Sequence, residues 1–261
     1  PGQGCQPAAV WHSADGTRHP SAAMPHKVNH RGPAPGDDIL FGPRALPLLR
    51  EATGDLCWLL SRGYAQTSSL ELVGNRHSLR ERQRLAVGRC ACGDAALQQR
   101  RARHVPADTL RGHDLWLDGY NVLMAIEAAL GGGVVLVGRD GCCRDLLGIH
   151  GSYHRVQETE PALRLIAAAT RDLGVAQCHW WLDKPVSNSG RLKAIILDLA
   201  DKEGWNWQVD LNLNPDRVLA DTTEVVATAD SAVLDQCKRW FNLARFVANR
   251  IPAAWIVDLS A

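Results

Sequence analysis

Leu115-Trp116-Leu117-Asp118-Gly119-Tyr120-Asn121-Val122-Leu123 carries the clearest strand-to-helix signal in the chain. Three apolar residues run straight into an acid and a glycine, and a new apolar period then begins that suits a helix over about 121–130. The same arrangement of apolar run and acid returns at Trp180-Trp181-Leu182-Asp183 and at Val226-Ala227-Thr228-Ala229-Asp230. From Asp114 onward, short apolar runs at 115–117, 134–137, 176–182, 205–211, 224–228 and 254–259 read as strands. Amphipathic segments near 121–130, 158–173, 190–203 and 231–250 read as helices. Gly174 and Gly204 stop two of them, because glycine supplies the left-handed residue a chain needs to leave a helix. Alternation of this kind predicts an α/β layer built on a mostly parallel sheet flanked by helices, over 111–261.

Upstream the pattern changes. Residues 1–37 carry Pro1, Pro7, Pro20, Pro25, Pro33 and Pro35 with four histidines and no sustained apolar period, which predicts a mobile arm. Over 38–110, Leu46, Leu49, Leu56, Leu60, Leu70, Leu79 and Leu85 recur at near-helical spacing between glycine breaks, which predicts a small all-helical domain. Between Arg62 and His104 nine arginines face three acids, a local balance of 9 − 3 = +6. A helix over 69–74, a turn at 75–77 and a helix from Ser78 would make a helix-turn-helix-like unit. Arg76, Arg80 and Arg84 stand at i, i+4 and i+8 and would share one helix face toward nucleic-acid phosphates if one helix ran through them. The structural alternative is a solvated face whose arginines pair with acids of the α/β region.

In an open α/β sheet the C-terminal strand ends form one edge, and ligands bind there. Asp118, Asp183 and Asp230 are therefore expected to converge as catalytic and metal-holding residues. Carboxylates brought close raise one another's pKa unless a positive charge stands between them. An oxygen-only set favours one or two Mg²⁺ or Mn²⁺ ions, which activate water and offset charge on a phosphodiester. The plainer reading of each acid is a turn or helix cap. Asp140, in a loop after the 134–137 strand, is the expected fourth ligand, with Glu158 or Glu160 as substitutes. Lys184, Ser187, Asn188, Ser189 and Arg191, on the loop after Asp183, are expected to bind a substrate phosphate, as is Asn121; the alternative for that loop is an ordinary helix cap.

With 261 residues and 46% hydrophobic content the chain can build a sizeable core, and a net charge of +1 selects no partner globally. No run of 18 apolar residues and no signal-peptide core occurs, so a soluble, cytoplasmic protein without a membrane partner is expected. Eight cysteines at irregular spacing read as reduced thiols; Cys142-Cys143 and Cys90-Ala91-Cys92 lack the two-residue gap that zinc sites prefer. No GxxxxGK[ST], GxGxxG between strand and helix, HExxH or GxSxG motif is present, which argues against P-loop NTPases, dinucleotide enzymes, zincins and α/β-hydrolases.

Asp118-Gly119-Tyr120-Asn121-Val122-Leu123, with Asp183 and Thr228-Ala229-Asp230-Ser231 in the same order, resembles PIN-like and NYN-type nucleases. Over roughly 38–259 the chain is similar to a two-part prokaryotic family in which a helical N-terminal domain of unknown function precedes a PIN-like C-terminal domain. Leu59-Leu60-Ser61-Arg62-Gly63-Tyr64, Leu72-Val73-Gly74-Asn75-Arg76, His150-Gly151-Ser152-Tyr153 and Pro185-Val186-Ser187-Asn188-Ser189-Gly190-Arg191-Leu192 carry this resemblance. It implies a Rossmann-like, PIN-like fold and a metal-dependent nuclease site, with RNA favoured over DNA. The rival expectation is a non-catalytic nucleic-acid-binding or assembly module on the same fold. Homo-oligomerisation is left open.

Overall fold

The computed structural model describes Pro1, residues 29–146 and residues 153–260. Residues 2–28 of the expected arm, and His150, Gly151 and Ser152 of the family-like stretch, lie outside the described residues. Residues 29–36 form a strap without regular structure and lead into α1 (Asp37–Leu40), α2 (Leu46–Ser61), α3 (Gln66–Arg76), α4 (Glu81–Cys90) and α5 (Asp94–Arg103). In α2, Leu49, Ala52 and Leu56 fall three and four residues apart, so one face is buried. Ala86 and Val87 of α4 meet it in the same apolar cluster.

A turn of 3-10 helix (Ala107–Leu110) then leads to β1 (Leu115–Asp118), α6 (Gly119–Gly131), β2 (Val134–Val137) and β3 (Cys143–Asp145). After them come α7 (Thr159–Asp172), β4 (Cys178–Asp183), α8 (Ser189–Glu203), β5 (Trp207–Asn212), α9 (Pro215–Asp221) and β6 (Val225–Ala227). The chain closes with α10 (Ser231–Leu234), β7 (Trp240–Phe241), α11 (Leu243–Ala248) and β8 (Trp255–Asp258). No described helix is long and apolar enough to cross a membrane.

The strands make two sheets, where the sequence pattern predicted one. The larger is five-stranded, β5-β4-β1-β6-β7, and its pairings are all parallel. From β1 the order runs out through β4 to β5 and then returns to β6 on the other side, so β1 marks the switch of a Rossmann-like α/β fold. The smaller sheet, β3-β2-β8, pairs β2 with β3 antiparallel and with β8 parallel. Burial explains the separation. Val134 and Leu136 face the helical N-terminal region, sharing its core with Val257 and Leu259. Val135 and Val137 face the alanine-lined sides of α6 and α11. β2 is thus covered on both faces, and the helical region completes its core on the small sheet.

Two further differences follow from local chemistry. The segment 231–250, expected as one helix, breaks into α10, β7 and α11, because β7 adds to the edge of the large sheet beside β6. Trp240 is anchored there by its indole N–H, which donates to the Arg100 carbonyl at 2.7 Å. The short α9, absent from the sequence expectation, starts where Asn214 accepts the Arg217 N–H and Pro215 fills the first turn.

The strap is tied to the body. Arg31 Nε donates to buried Glu127 at 3.0 Å, and His30 pairs with Glu158. A Cβ at Gly131 or Gly133 would stand 2.7 Å from the Arg31 carbonyl, so this glycine run permits the approach of the strap.

Candidate functional site

β1, β4 and β6 are adjacent and parallel, so their C-terminal ends open on one edge. Asp118 ends β1, Asp183 ends β4, and Asp230 stands three residues beyond β6. Gly119 allows β1 to turn at once into α6: a Cβ there would stand 2.5 Å from a Leu182 methyl and 3.0 Å from the Trp181 carbonyl. The Asp118 carboxyl lies only 4% exposed, and its Oδ2 accepts from Asn121 Nδ2 at 2.8 Å and from Thr228 Oγ1 at 2.7 Å. Thr228 in turn accepts the Asp230 N–H at 3.0 Å. Asp230 Oδ1 accepts the Ala232 and Val233 N–H groups at 2.7 and 3.2 Å, capping α10. Oδ1 of Asp118 and Oδ2 of Asp230 accept no hydrogen bond among the described residues.

A fourth acid, not expected from the sequence pattern, belongs to this edge. Asp216, in the first turn of α9, lies close enough to act on Asp118 and Asp183, because α9 follows β5 and packs back over β4 and β1 against α10. Burial, and then the negative charges of Asp230 and Asp216, push the Asp118 carboxyl up to about 7, against the bonds from Thr228 and Asn121. Burial, with Asp216 and Asp230, raises Asp183; burial and Asp230 raise Asp216. The four run from buried Asp118 through half-buried Asp183 and Asp230 to exposed Asp216. None of them makes an ion pair among the described residues. An oxygen-only donor set with uncompensated mutual repulsion suits a hard divalent cation. Among the described residues, however, no three His, Cys, Asp or Glu side chains stand together as a ready-made metal cage. The sequence signal for Asp216 was Asn214-Pro215-Asp216 after a strand, a helix start with an acid in its first turn.

Asp140 is not part of this edge. It follows β2, which belongs to the small sheet, and both its oxygens are taken by arginines. Arg144 grips it through two bonds of 2.9 and 2.6 Å, and Arg100 adds a third at 2.6 Å. These guanidinium groups outweigh burial and hold its carboxyl well below the usual carboxylate range. Arg144 also donates from Nε to the Ala229 carbonyl at 2.8 Å, so Asp140 steadies the backbone just before Asp230 through Arg144. The substitutes are occupied too: Glu158 pairs with His30, and Glu160 with Arg155.

The loop after Asp183 is partly consumed by its own folding. Ser189 is buried and donates to the Lys184 carbonyl at 3.3 Å, while Asn188, at φ 68°, donates to the Tyr153 carbonyl at 2.9 Å. Ser187, Lys184 and Arg191 are exposed, and neither basic side chain makes an ion pair among the described residues. Arg191 and Asn188 line a cavity of about 600 Å³ with Asn29, Tyr153, His154, Arg155, Leu192 and Ile195. Asn121 is a positioning residue for Asp118 and lines a cleft of about 190 Å³, where Gln66 and Arg89 of the helical region face Asp230.

No single helix carries the three arginines of the expected phosphate face. Arg76 ends α3, Arg80 precedes α4 and Arg84 lies within it. The Arg84 guanidinium is spent on the α3–α4 turn, donating to the Leu79 and Glu71 carbonyls and to Asn75 Oδ1 at 3.0, 3.3 and 2.8 Å. Arg76 pairs with Asp55 at 3.4 Å, and exposed Arg80 makes no ion pair among the described residues. Arg82 pairs with Asp37, Arg89 with Asp145, and Arg100 with Asp140 and Asp235, so most of this basic stretch holds the fold together. The seven described cysteines are free and buried, and burial raises their thiol pKa values, which makes them inert packing groups.

No solved structure matches the chain. An uncharacterized protein of Methanocaldococcus jannaschii is 26% identical over 186 residues, covering 71% of this chain and 88% of its own length. Residues 48–103, the helical region, match a model described as a protein of unknown function (DUF434). The α/β region with its acidic edge matches a second model over residues 107–246, more than half of the chain, and the protein therefore belongs to the family described as a domain of unknown function, DUF5616.

Proposed function

We propose that the protein is a divalent-metal-dependent nuclease on a PIN-like version of the Rossmann-like fold, with RNA as its first candidate substrate. The observation that carries this reading is the set of four acids at one sheet edge, where burial and the charges of Asp216 and Asp230 raise the carboxyl pKa of Asp118 and Asp183, burial and Asp230 raise that of Asp216, and no basic side chain among the described residues pairs with any of the four. A cation is the charge this edge lacks. Bound Mg²⁺ or Mn²⁺ would supply Lewis-acid activation of water and offset the charge of the phosphodiester. Asp118 and Asp183 would hold it from the strand ends, and Asp230 and Asp216 from the helix starts. Asn121 and Thr228 fix the Asp118 carboxyl so that one oxygen stays available. Lys184, next to Asp183, is exposed, makes no ion pair among the described residues, and would offer its ammonium to a neighbouring phosphate.

The test pairs binding with cleavage. Mn²⁺ titrated into the protein should bind in the micromolar to millimolar range, and mixed RNA should be cut only with the metal present. Asp118→Asn and Asp216→Asn should each weaken Mn²⁺ binding, and Asp118→Asn should abolish cutting. Nucleic-acid binding without cutting at any Mn²⁺ concentration would assign the non-catalytic module instead, and undiminished cutting by Asp118→Asn would remove this edge from the chemistry.

A further inference from the structure

We infer that the 600 Å³ cavity at the start of α8 binds the terminal phosphate of a nucleotide, with Arg191 as its principal cationic contact. The choice of a nucleotide over other phosphorylated ligands rests on the nuclease reading above. The cavity itself rests on its own chemistry. Among the described residues its lining is Asn29, Tyr153, His154, Arg155, Asn188, Arg191, Leu192 and Ile195, three basic side chains and two amides with no acid. Its volume falls within the roughly 300–1,000 Å³ of small-molecule sites. Arg191 is exposed and has no ion-pair partner among the described residues, so its planar fork is available for two-point contact with a phosphate. Arg155 is partly engaged by Glu160 and contributes less. Leu192, Ile195 and the edge of Tyr153 give the cavity an apolar side that suits a sugar or base rather than a bare anion.

Two features place this cavity beside the acidic edge. The Tyr153 ring packs against Tyr120 with centroids 5.5 Å apart, and Tyr120 stands two residues after Asp118. The Tyr120 hydroxyl is buried, has no hydrogen-bond partner among the described residues, and feels the charge of Asp183. One aromatic layer therefore separates the cavity from Asp183. Asn29 reaches the cavity from the strap, which the Arg31–Glu127 and His30–Glu158 pairs hold in place. A pocket that grips a phosphate end next to a cleaving edge would position the end of a strand, and the same chemistry would accept a free mononucleotide.

The full chain, in EDTA to remove divalent cations, is titrated calorimetrically with inorganic phosphate, a nucleoside 5′-monophosphate, and short oligoribonucleotides with a 5′-phosphate, a 3′-phosphate or neither. The mononucleotide should bind more tightly than inorganic phosphate, and Arg191→Ala should weaken it at least tenfold with an unchanged melting temperature. Arg191→Lys should recover part of the loss. Preference for a phosphate-ended over an unphosphorylated oligonucleotide would identify strand ends as the source, and binding of the mononucleotide alone would identify free nucleotides. Absence of saturable binding by every phosphate-bearing probe, or an Arg191→Ala affinity within twofold of the starting protein, overturns the inference. The two readings fail separately. Arg191-dependent binding without metal-dependent cutting rejects the nuclease and keeps the pocket; metal-dependent cutting with Arg191-independent binding does the reverse.

Discussion

Replacing Asp118 by Asn should stabilise the protein at neutral and alkaline pH, even though it removes the residue at the centre of the acidic edge. Both hydrogen bonds to the side chain converge on Oδ2, from Asn121 and Thr228, and an amide oxygen in that place keeps both. What the substitution removes is a buried charge. The carboxyl ordinarily ionises at 3.8 and is pushed up to about 7 here, chiefly by burial. A folded state with the higher pKa holds the proton more tightly than the unfolded chain, so stability is full below pH 3.8 and falls as pH rises toward 7. At about 1.4 kcal/mol per pH unit, the interval from 3.8 to about 7 corresponds to about 4 kcal/mol lost by the natural protein and spared in Asp118→Asn. For a chain of this size that is a melting-temperature difference of roughly 10 °C above pH 7, vanishing near pH 4. Scanning calorimetry of both proteins in EDTA between pH 4 and 8.5 would measure it. Mn²⁺ should then raise the melting temperature of the natural protein at pH 8 far more than that of the variant. Melting curves that run parallel across the whole range would mean instead that Asp118 is ionised at no cost to the fold.

Asp140→Ala should destabilise the protein by about 3–5 kcal/mol in urea unfolding, since it leaves Arg100 and Arg144 buried without their shared carboxylate. Arg84→Ala should cost about 1–3 kcal/mol in the same assay through the loss of three hydrogen bonds at the α3–α4 turn, whereas Arg80→Ala should stay within about 0.5 kcal/mol. Gly133→Ala should release the strap, because its Cβ would meet the Arg31 carbonyl; limited proteolysis should then cut within 29–36 much faster, and equal rates would mean that the strap is held elsewhere.

Much of the α/β layer was legible because its signals are local. Leu115, Leu117, Trp180, Leu182, Val225 and Ala227 alternate with residues of the opposite face, and acids follow closely on the apolar runs, so these strands and the acids at or just beyond their ends could be read along the chain. The helices after Asp118 and before Gly174 and Gly204 declared themselves by period and by their stops. Tertiary structure decided the rest. Val134–Val137 is a continuous apolar run with no sign of which neighbour it will pair with; only the covering of its two faces, by α2 and α4 on one side and by α6 and α11 on the other, assigned it to a second sheet and took Asp140 away from the acidic edge. The 231–250 segment has helical character throughout, yet the open edge beside β6 offered backbone partners that drew Trp240–Phe241 into a strand. Arginine spacing was equally silent about use: Arg76, Arg80 and Arg84 share a period, but a turn between them and the carbonyls around Arg84 turned a supposed phosphate face into a brace. Asp216 needed the fold most of all, since a charge more than thirty residues along the chain from Asp183 reaches the same edge only once β4 and β5 lie side by side. Apolar periodicity acts between neighbours in sequence, and a chain can display it before folding; pairing of strands and sharing of charge act between neighbours in space, which exist only after it.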